Sequence, residues 1–210
     1  MDLGQVEIPR TFNNAHLRAI HRHLFQDVYD WAGQHRTVNM SKDGSAFAGV
    51  DLIEGCMDWA SIYANHTRWH ELDHQGFAIA VSHIFMWANT AHPFREGNGR
   101  ATKVFMQHVA ELGGYELDFD PTSTGVSPEA WNTSAALSMS IIERPELDPV
   151  PMVRIFEKLS HKREAQPTPE TASPLDQLKA TPCGVPPSST RTTIRNAHPA
   201  VPRTLPVYPV

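Results

Sequence analysis

The sequence predicts an all-α domain with one short β-hairpin, and three observations support that fold class. Apolar residues recur every three or four positions through most of the first 165 residues, whereas residues 36–48 lose this spacing around an Asp-Gly turn. Ten of the 17 prolines, together with ten serines or threonines, lie in the last 45 residues. Such a segment buries too little apolar surface to offset the entropy of ordering it. We expect a folded domain at 1–165 and a disordered tail rich in Pro, Ser and Thr at 166–210.

The first helix is predicted from an apolar stripe, with Asn13 or Asn14 as its N-cap and an end near Gly33. The hairpin follows, because Asp43-Gly44 is a typical two-residue turn between short strands. The stripe consists of Leu17, Ile20, Leu24, Val28 and Trp31.

Two further helices are predicted at 51–66 and 75–90. The second of these is apolar almost all round, so we expect it to be the central helix of the bundle. The helix at 51–66 would bury Leu52, Cys56, Trp59 and Tyr63, and the helix at 75–90 would bury Phe77, Val81, Ile84, Phe85 and Ala88.

The sequence HPFREGNGR at 92–100 interrupts the helical pattern before it resumes at Ala101 and runs to Gly113. Two later helices are indicated by Ser-Pro at 127 and Asp-Pro at 148, each a capping residue followed by proline at the first helical position. The break is the one irregular insertion between strong helices, and its backbone groups are free for a ligand.

Charge and cysteine content narrow the functional classes. The predicted domain holds 14 basic and 21 acidic residues, a net charge of −7, which argues against direct nucleic-acid binding because that needs a basic face. Cys56 and Cys183 are the only cysteines, so we expect neither a disulfide framework nor a cysteine zinc site. The sequence contains no secretory signal pattern and no run of about 18 apolar residues that could span a membrane. These features predict a cytoplasmic protein.

The break has the parts of a nucleotide-phosphate site. Gly97 and Gly99 let the backbone bend and approach a ligand closely, and the following helix adds free N–H donors and a positive dipole end. Arg100 and Lys103 lie on the first turn of that helix and can face the same phosphates. Glu96 is a hard oxygen ligand suited to Mg²⁺. A histidine at the start of the break, at position 92, can act as a base near neutral pH.

At these residues the sequence resembles the Fic family, whose signature is H-x-F-x-[D/E]-G-N-G-R-x-x-R between two helices. Nine consecutive positions from His92 to Arg100 fit it. The stretches IHRHLFQDVYDWAGQHRTV, SKDGSAF and FAIAVSHIFMWANTAHPF are also similar to the family, so the resemblance covers roughly residues 12–160. It implies a Fic-type helical bundle in which the hairpin is a flap.

The resemblance implies adenylylation, in which AMP passes from ATP to a Ser, Thr or Tyr hydroxyl of a target protein. His92 would be the catalytic base, and Glu96 would hold Mg²⁺ between the α- and β-phosphates. Phe94 would be a structural anchor. The predicted ATP- and phosphate-binding residues are Gly97, Asn98, Gly99, Arg100 and Lys103.

The flap at 38–47 would align an extended target segment by strand addition. By the same resemblance, Ser41 and Lys42 would belong to this target-positioning flap, and Phe47 would press on the segment.

One residue departs from the family pattern, because Lys103 stands where the family has its final arginine. In the family that arginine contacts the γ-phosphate and pairs with an inhibitory glutamate from an [S/T]-x-x-x-E-[G/N] helix. In this chain Ser160-x-x-x-Glu164 and Thr67-x-x-x-Glu71 come nearest, and neither is followed by Gly or Asn. A separate small antitoxin-like inhibitor that carries the motif is therefore one expectation, and the absence of regulation is the other.

The resemblance favours a bacterial toxin or effector, in the latter case exported without a Sec signal. Three alternatives remain open at the level of sequence. The same site could transfer phosphate, as in Doc-type members. His70-Glu71-x-x-His74 fits the H-E-x-x-H pattern of zinc peptidases. Finally, the scaffold or its Pro-rich tail could be a catalytically silent adaptor that only binds a partner.

Overall fold

Helices dominate the structure, a computed structural model that describes residues 8–42, 45–139 and 147–163. The predicted tail at 166–210 and the Asp43-Gly44 turn lie outside the described residues. The described part has seven helices and two small antiparallel sheets. The elements are α1 (Asn14–Phe25), β1 (Ser41–Lys42), β2 (Ser45–Ala46), α2 (Ile53–His66), α3 (His74–Ala91), α4 (Asn98–Leu112), β3 (Tyr115–Leu117), α5 (Pro121–Thr124), α6 (Pro128–Leu137), α7 (Val150–Leu159) and β4 (Ser160–Lys162).

Helix α3 is the central helix, as its all-round apolar sequence predicts. It packs against α2, α4 and α7. Its N-cap is Asp73, whose carboxylate accepts the Gly76 N–H. At its other end the chain leaves the helix through His92, which has a φ of 38°. The predicted core residues of this helix are all buried: Phe77, Val81, Ile84, Phe85 and Ala88.

Helix α1 is shorter than predicted. Asn13 caps it by accepting the His16 N–H, as expected, but the helix ends at Phe25 instead of near Gly33. Val28 lies beyond the helix end and is 67% exposed, and Leu24, inside the helix, is 40% exposed, so the assignment of both to the buried stripe is wrong. Beyond Phe25 the chain continues in turns, where helical spacing no longer decides which side chains face the core.

Helix α2 begins two residues later than predicted, after a turn of 3-10 helix at Val50–Leu52. Leu52 belongs to that turn and is 58% exposed, so its predicted burial is wrong. Ile53 is fully buried in its place. Cys56 is buried as predicted, whereas Trp59 is half-buried.

The sequence did not predict the sheet formed by β3 and β4. Each strand has only three residues, too few for an alternating apolar pattern to be visible. The predicted Ser127 cap of α6 is confirmed, since its hydroxyl accepts the Ala130 N–H. No helix in the described ranges is both long and apolar enough to cross a bilayer.

Candidate active site

A cavity of about 510 Å³ opens where four parts of the fold meet. These are the flap formed by β1 and β2, the end of α3, the loop that enters α4, and one face of α6. The cavity therefore brings the sequence break and the flap together. The lining residues are Met40, Ser41, Lys42, Phe47, Asn89, His92, Arg95, Glu96, Gly97, Asn98, Gly99, Trp131, Asn132, Ala135, Ala136 and Met139.

The loop before α4 is closed by a pair of hydrogen bonds. The Asn98 side chain accepts the Phe94 N–H at 2.8 Å and donates to the Phe94 carbonyl at 2.7 Å. Phe94 is fully buried, consistent with its predicted role as an anchor. Because both ends of the Asn98 amide bind Phe94, this residue would meet a ligand through its backbone N–H.

His21 of α1 holds the same loop in place through a hydrogen bond and a ring contact. Its Nδ1 accepts the Gly33 N–H at 2.9 Å, so Nε2 carries the proton and donates to the Glu96 carbonyl at 2.9 Å. The ring also stacks on Phe94 with centroids 3.8 Å apart. Burial lowers the pKa of His21, which keeps the ring in the neutral form that this bonding pattern needs.

The first turn of α4 presents free backbone donors to the cavity. Gly97 is its N-cap, with a φ of 80°, and the first bond within the helix runs from the Ala101 N–H to the Gly97 carbonyl. The N–H groups of the residues between them have no acceptor within the helix. Together with the positive end of the helix dipole, they suit a phosphate group.

His92 lies at the mouth of the cavity, half-buried beneath the flap. Its ring stacks on Phe47 with centroids 3.6 Å apart and planes inclined by 13°. Burial, with the positive charges of Arg36 and Lys42, lowers the pKa of His92 to about 4, and the opposing charge of Glu96 is a smaller effect. At neutral pH the imidazole is therefore unprotonated and able to accept a proton.

This low pKa predicts how transfer should depend on pH. A base with an ordinary histidine pKa of 6.5 would lose half its active form at pH 6.5, whereas His92 keeps it until the pH approaches about 4. We expect kcat/KM for ATP, which reports the pKa of a base in the free enzyme, to stay level as the pH falls through 6.5 and to drop only below about pH 5. Stopped assays at ATP concentrations well below KM, with target integrity checked at each pH, would measure this. A half-maximal rate near 6.5 would contradict the low pKa.

Glu96 is the only acidic side chain among the described residues that line the cavity. The side chain is exposed, and its Oε1 accepts the Gly97 N–H at 3.0 Å. No group of three metal-ligating side chains occurs in the described part of the chain. One carboxylate does fit Mg²⁺, which is commonly held by one or two carboxylates together with substrate phosphates.

The two predicted phosphate-binding cations lie outside the cavity lining. The Arg100 guanidinium is 4.5 Å from the centroid of the Phe25 ring. The Lys103 ammonium is 4.9 Å from the Phe119 ring and 5.3 Å from the Trp131 ring, of which Trp131 does line the cavity. Their roles toward phosphate stay predictions.

Sequence reasoning missed several residues that shape this site. Arg36 and His21 lie in the stretch that carries the resemblance, but nothing in their spacing indicated that both would be buried. The α6 wall, with Trp131 and Asn132, could not be placed beside the break by sequence alone. Only long-range packing brings these elements together.

The zinc-peptidase pattern does not form the expected one-helix pair. His70 lies in a 3-10 turn with its side chain 82% exposed, and Glu71 pairs with Arg68 at 3.0 Å. His74 is the first residue of α3, and its Nε2 is 2.8 Å from the Ser160 Oγ. The two histidines thus sit on different elements, and one already has a partner.

Neither near-match to the inhibitory motif begins on an α-helix. Ser160 is the first residue of β4, and Glu164 lies outside the described residues. Thr67 follows the last residue of α2, and Glu71 is the last residue of a short 3-10 helix. The described part of the chain therefore contains no inhibitory helix of the family type.

Fold and site together define a helical domain with a glycine-bounded loop between two core helices, beside a cavity. Residues 11–110 match the family model described as Fic/DOC family. Residues 11–110 are thus a Fic/DOC family domain, as the motif predicted.

Curated relatives agree with this assignment. The chain is 34% identical over 148 residues to protein adenylyltransferase VbhT of Bartonella schoenbuchensis, an alignment that covers 68% of this chain and 31% of VbhT. It is 32% identical over 126 residues to the probable protein adenylyltransferase Fic of Escherichia coli K12, covering 56% of this chain and 57% of that protein. The chain thus spans only part of the length of these relatives.

Solved structures resemble the fold closely. The BepC effector of Bartonella tribocorum, with bound AMPPNP, has a TM-score of 0.62 and 26% identity, covering 76% of this chain and 80% of that one. A Fic domain from Bartonella quintana, with bound ADP, has a TM-score of 0.63 and 25% identity, and the match covers 75% of this chain and 77% of that one. The predicted Fic-type helical bundle with a hairpin is confirmed.

Proposed function

We propose that this chain is a protein adenylyltransferase that transfers AMP from ATP to a Ser, Thr or Tyr hydroxyl of a target protein. One observation carries the proposal: a neutral histidine, a carboxylate and the free N–H groups of a helix N-terminus face one cavity beneath a flap. A base, a metal ligand and an anion site are the parts that phosphoryl-type transfer needs. Relatives named as adenylyltransferases support the same reaction.

In the proposed step His92 accepts the proton of the target hydroxyl. The oxygen then bonds to the α-phosphorus of ATP, and the bond from that phosphorus to the bridging oxygen of the β-phosphate breaks. The products are AMP-modified protein and pyrophosphate, and the proton held by His92 is later released to solvent. The backbone donors at the start of α4 would bind the charged oxygens of the phosphate chain.

Mg²⁺ bound to the phosphates would neutralise charge on the leaving pyrophosphate. Glu96 is the residue in this cavity suited to hold it. Glu96→Gln keeps the shape of the side chain and removes its charge. We expect ATP affinity in the presence of Mg²⁺ to fall at least about tenfold, and affinity measured with EDTA to change little, because only the metal contact is lost. Calorimetry with and without Mg²⁺ measures both, and equal losses in the two buffers would contradict the assignment.

The flap would align the target. β1 and β2 form a two-stranded antiparallel ladder whose register pairs Ser41 with Ala46. Ser41, Lys42 and Phe47 all line the cavity, so an extended target segment added to the flap would bring its hydroxyl toward His92.

A small inhibitor would be a separate chain in this account. The described residues contain no inhibitory helix of the family type, and a partner that carries an [S/T]-x-x-x-E-[G/N] helix would supply one. This arrangement suits a bacterial toxin held inactive in the cytoplasm. The likeness to effectors described as VirB-translocated supports export to another cell as the second setting.

Labelled ATP tests the proposed reaction. The purified chain is incubated in a bacterial lysate with either α-³²P or γ-³²P ATP, and proteins are resolved after boiling in detergent. We expect bands above the background of a chain-free lysate with the α-label only. Bands from the γ-label alone would assign phosphate transfer, and no chain-dependent band with either label in bacterial or host lysates would favour the silent adaptor.

A further inference from the structure

Arg36 is a buried arginine whose hydrogen-bonding partners are backbone carbonyls. Its side chain is among the largest that are fully buried, and the residue is 1% exposed. The structure records no ion pair for it among the described residues. Burial of the guanidinium lowers its pKa, the direction expected for a cation in a site without a carboxylate partner. A buried charge without an ionic partner needs good hydrogen bonds, and the Arg36 side chain donates four.

Two of these bonds hold the end of α3. Nε donates to the His92 carbonyl at 2.9 Å, and Nη2 donates to the Ala91 carbonyl at 3.2 Å. The Arg36 backbone N–H continues the series by donating to the Pro93 carbonyl at 2.8 Å. Three consecutive carbonyls around the proposed base are thus bound to one residue.

The other two bonds hold the two ends of the flap. Nη1 donates to the Val38 carbonyl at 2.8 Å, before β1, and Nη2 donates to the Ala48 carbonyl, after β2. Ala48 also donates its own N–H to the Thr90 carbonyl at 2.9 Å, so the end of the flap after β2 is hydrogen-bonded to α3. Between these ends the flap carries Phe47, whose ring covers His92.

We propose that Arg36 is a positioning residue that couples the flap to His92, so that the orientation of the base and the placement of the flap are set together. The inference rests on the proposed function for the role of His92. It assigns to Arg36 a task distinct from ATP binding, because no atom of Arg36 lines the cavity. His92 has a left-handed backbone, with a φ of 38°, that non-glycine residues seldom adopt unless their surroundings hold it.

Only arginine fits this position. The planar guanidinium offers five N–H donors in a fixed fork, which allows one group to reach carbonyls on two sides at once. Lysine has three donors on a single nitrogen and cannot span them. Arg36→Lys should therefore behave like a loss of the link even though the positive charge remains.

The nucleotide loop has separate supports. Asn98 and Phe94 close it, and His21 holds it from α1. Loss of the Arg36 side chain should leave these contacts in place. ATP affinity and the link between the flap and His92 can therefore be measured independently.

The test compares Arg36→Lys and Arg36→Met with Arg18→Lys. Arg18 is the matched control, because its Nε also donates to a backbone carbonyl, that of Gly33, at 2.8 Å, but its residue is exposed and this bond involves neither the flap nor the end of α3. We expect both Arg36 variants to lower kcat about a hundredfold, since small misplacement of a reacting group can cost that much, with ATP Kd within about twofold of wild type. Arg18→Lys should leave both values unchanged.

A second measurement does not depend on activity and reports whether Phe47 still stacks on His92. In full-length protein labelled with ¹³C-histidine, the His92 signal is identified by its loss in His92→Ala, and Phe47→Leu gives its position without the stacked ring. We expect the His92 signal in both Arg36 variants to move to the Phe47→Leu position. Thermal unfolding and ATP binding establish that each variant is folded.

Two outcomes would overturn the inference. A folded Arg36→Met that keeps wild-type kcat and an unshifted His92 signal would show that Arg36 does not position the base. Equal losses in ATP affinity and kcat would assign it a general structural role. If the wild-type chain transfers no AMP, the proposed function fails, and the histidine signal still decides whether Arg36 couples the flap to His92.

Discussion

His92→Ala is expected to lower AMP transfer about a thousandfold while ATP affinity stays within about twofold of wild type. The reason is that proton transfer and phosphate binding are assigned to different parts of the cavity. His92 lies at the mouth under Phe47, whereas the backbone donors for phosphate lie at the start of α4. Loss of a general base typically costs a factor of about 100 to 10,000. Calorimetry with ATP and initial rates with α-labelled ATP measure the two effects.

His70→Ala is the control for this experiment. The His70 side chain is 82% exposed and does not line the cavity. His70 is also the first residue of the zinc-peptidase pattern. It should transfer AMP at the wild-type rate. A loss of ATP affinity in His92→Ala would place His92 in the nucleotide site, and an equal loss of AMP transfer in His70→Ala would show that the effect is not specific to His92.

Gly97→Ala is expected to have the second-largest effect. Gly97 has a φ of 80°, which alanine adopts only with strain, and an added Cβ would lie 2.6 Å from two atoms of the Phe25 ring. Phe25 is 3% exposed, so the ring cannot swing into solvent. The loop must shift instead, and the donors at the start of α4 shift with it. We expect ATP affinity to fall at least about tenfold, AMP transfer about a hundredfold, and the free energy of unfolding by about 1–3 kcal/mol.

Gly55→Ala is the matched control, because no atom lies within 4 Å of an added Cβ and the residue is helical. It should transfer AMP normally and be slightly more stable, since alanine favours helix more than glycine does. Calorimetry and urea unfolding of both variants test the pair. Wild-type ATP affinity in a folded Gly97→Ala would mean that the loop is not the phosphate site.

The local features of this fold were readable from sequence. The caps at Asn13 and Ser127, the largely apolar α3 and the glycine-bounded break all follow from short-range patterns, and the structure confirms them. One error occurred where a helix ended early. Val28 keeps helical spacing with the core, but α1 ends at Phe25 and Val28 is exposed. Leu24 lies inside α1 and is also exposed, so helical spacing alone did not place it correctly.

Long-range contacts were beyond sequence reasoning. The motif predicted which residues would meet at the break, but not that Arg36 would be buried against carbonyls from both the flap and α3. It also gave no sign that the Lys103 ammonium would lie on aromatic rings beside the cavity. These arrangements depend on tertiary packing between elements distant in sequence.

The central claim is that the cavity attaches AMP to a hydroxyl side chain. The most direct measurement is tandem mass spectrometry of peptides from a protein that the chain has labelled. The account predicts adenosine monophosphate in phosphoester linkage on Ser, Thr or Tyr, absent when His92→Ala replaces the wild-type chain. Phosphate alone on those residues, or AMP on a side chain without a hydroxyl, would contradict it.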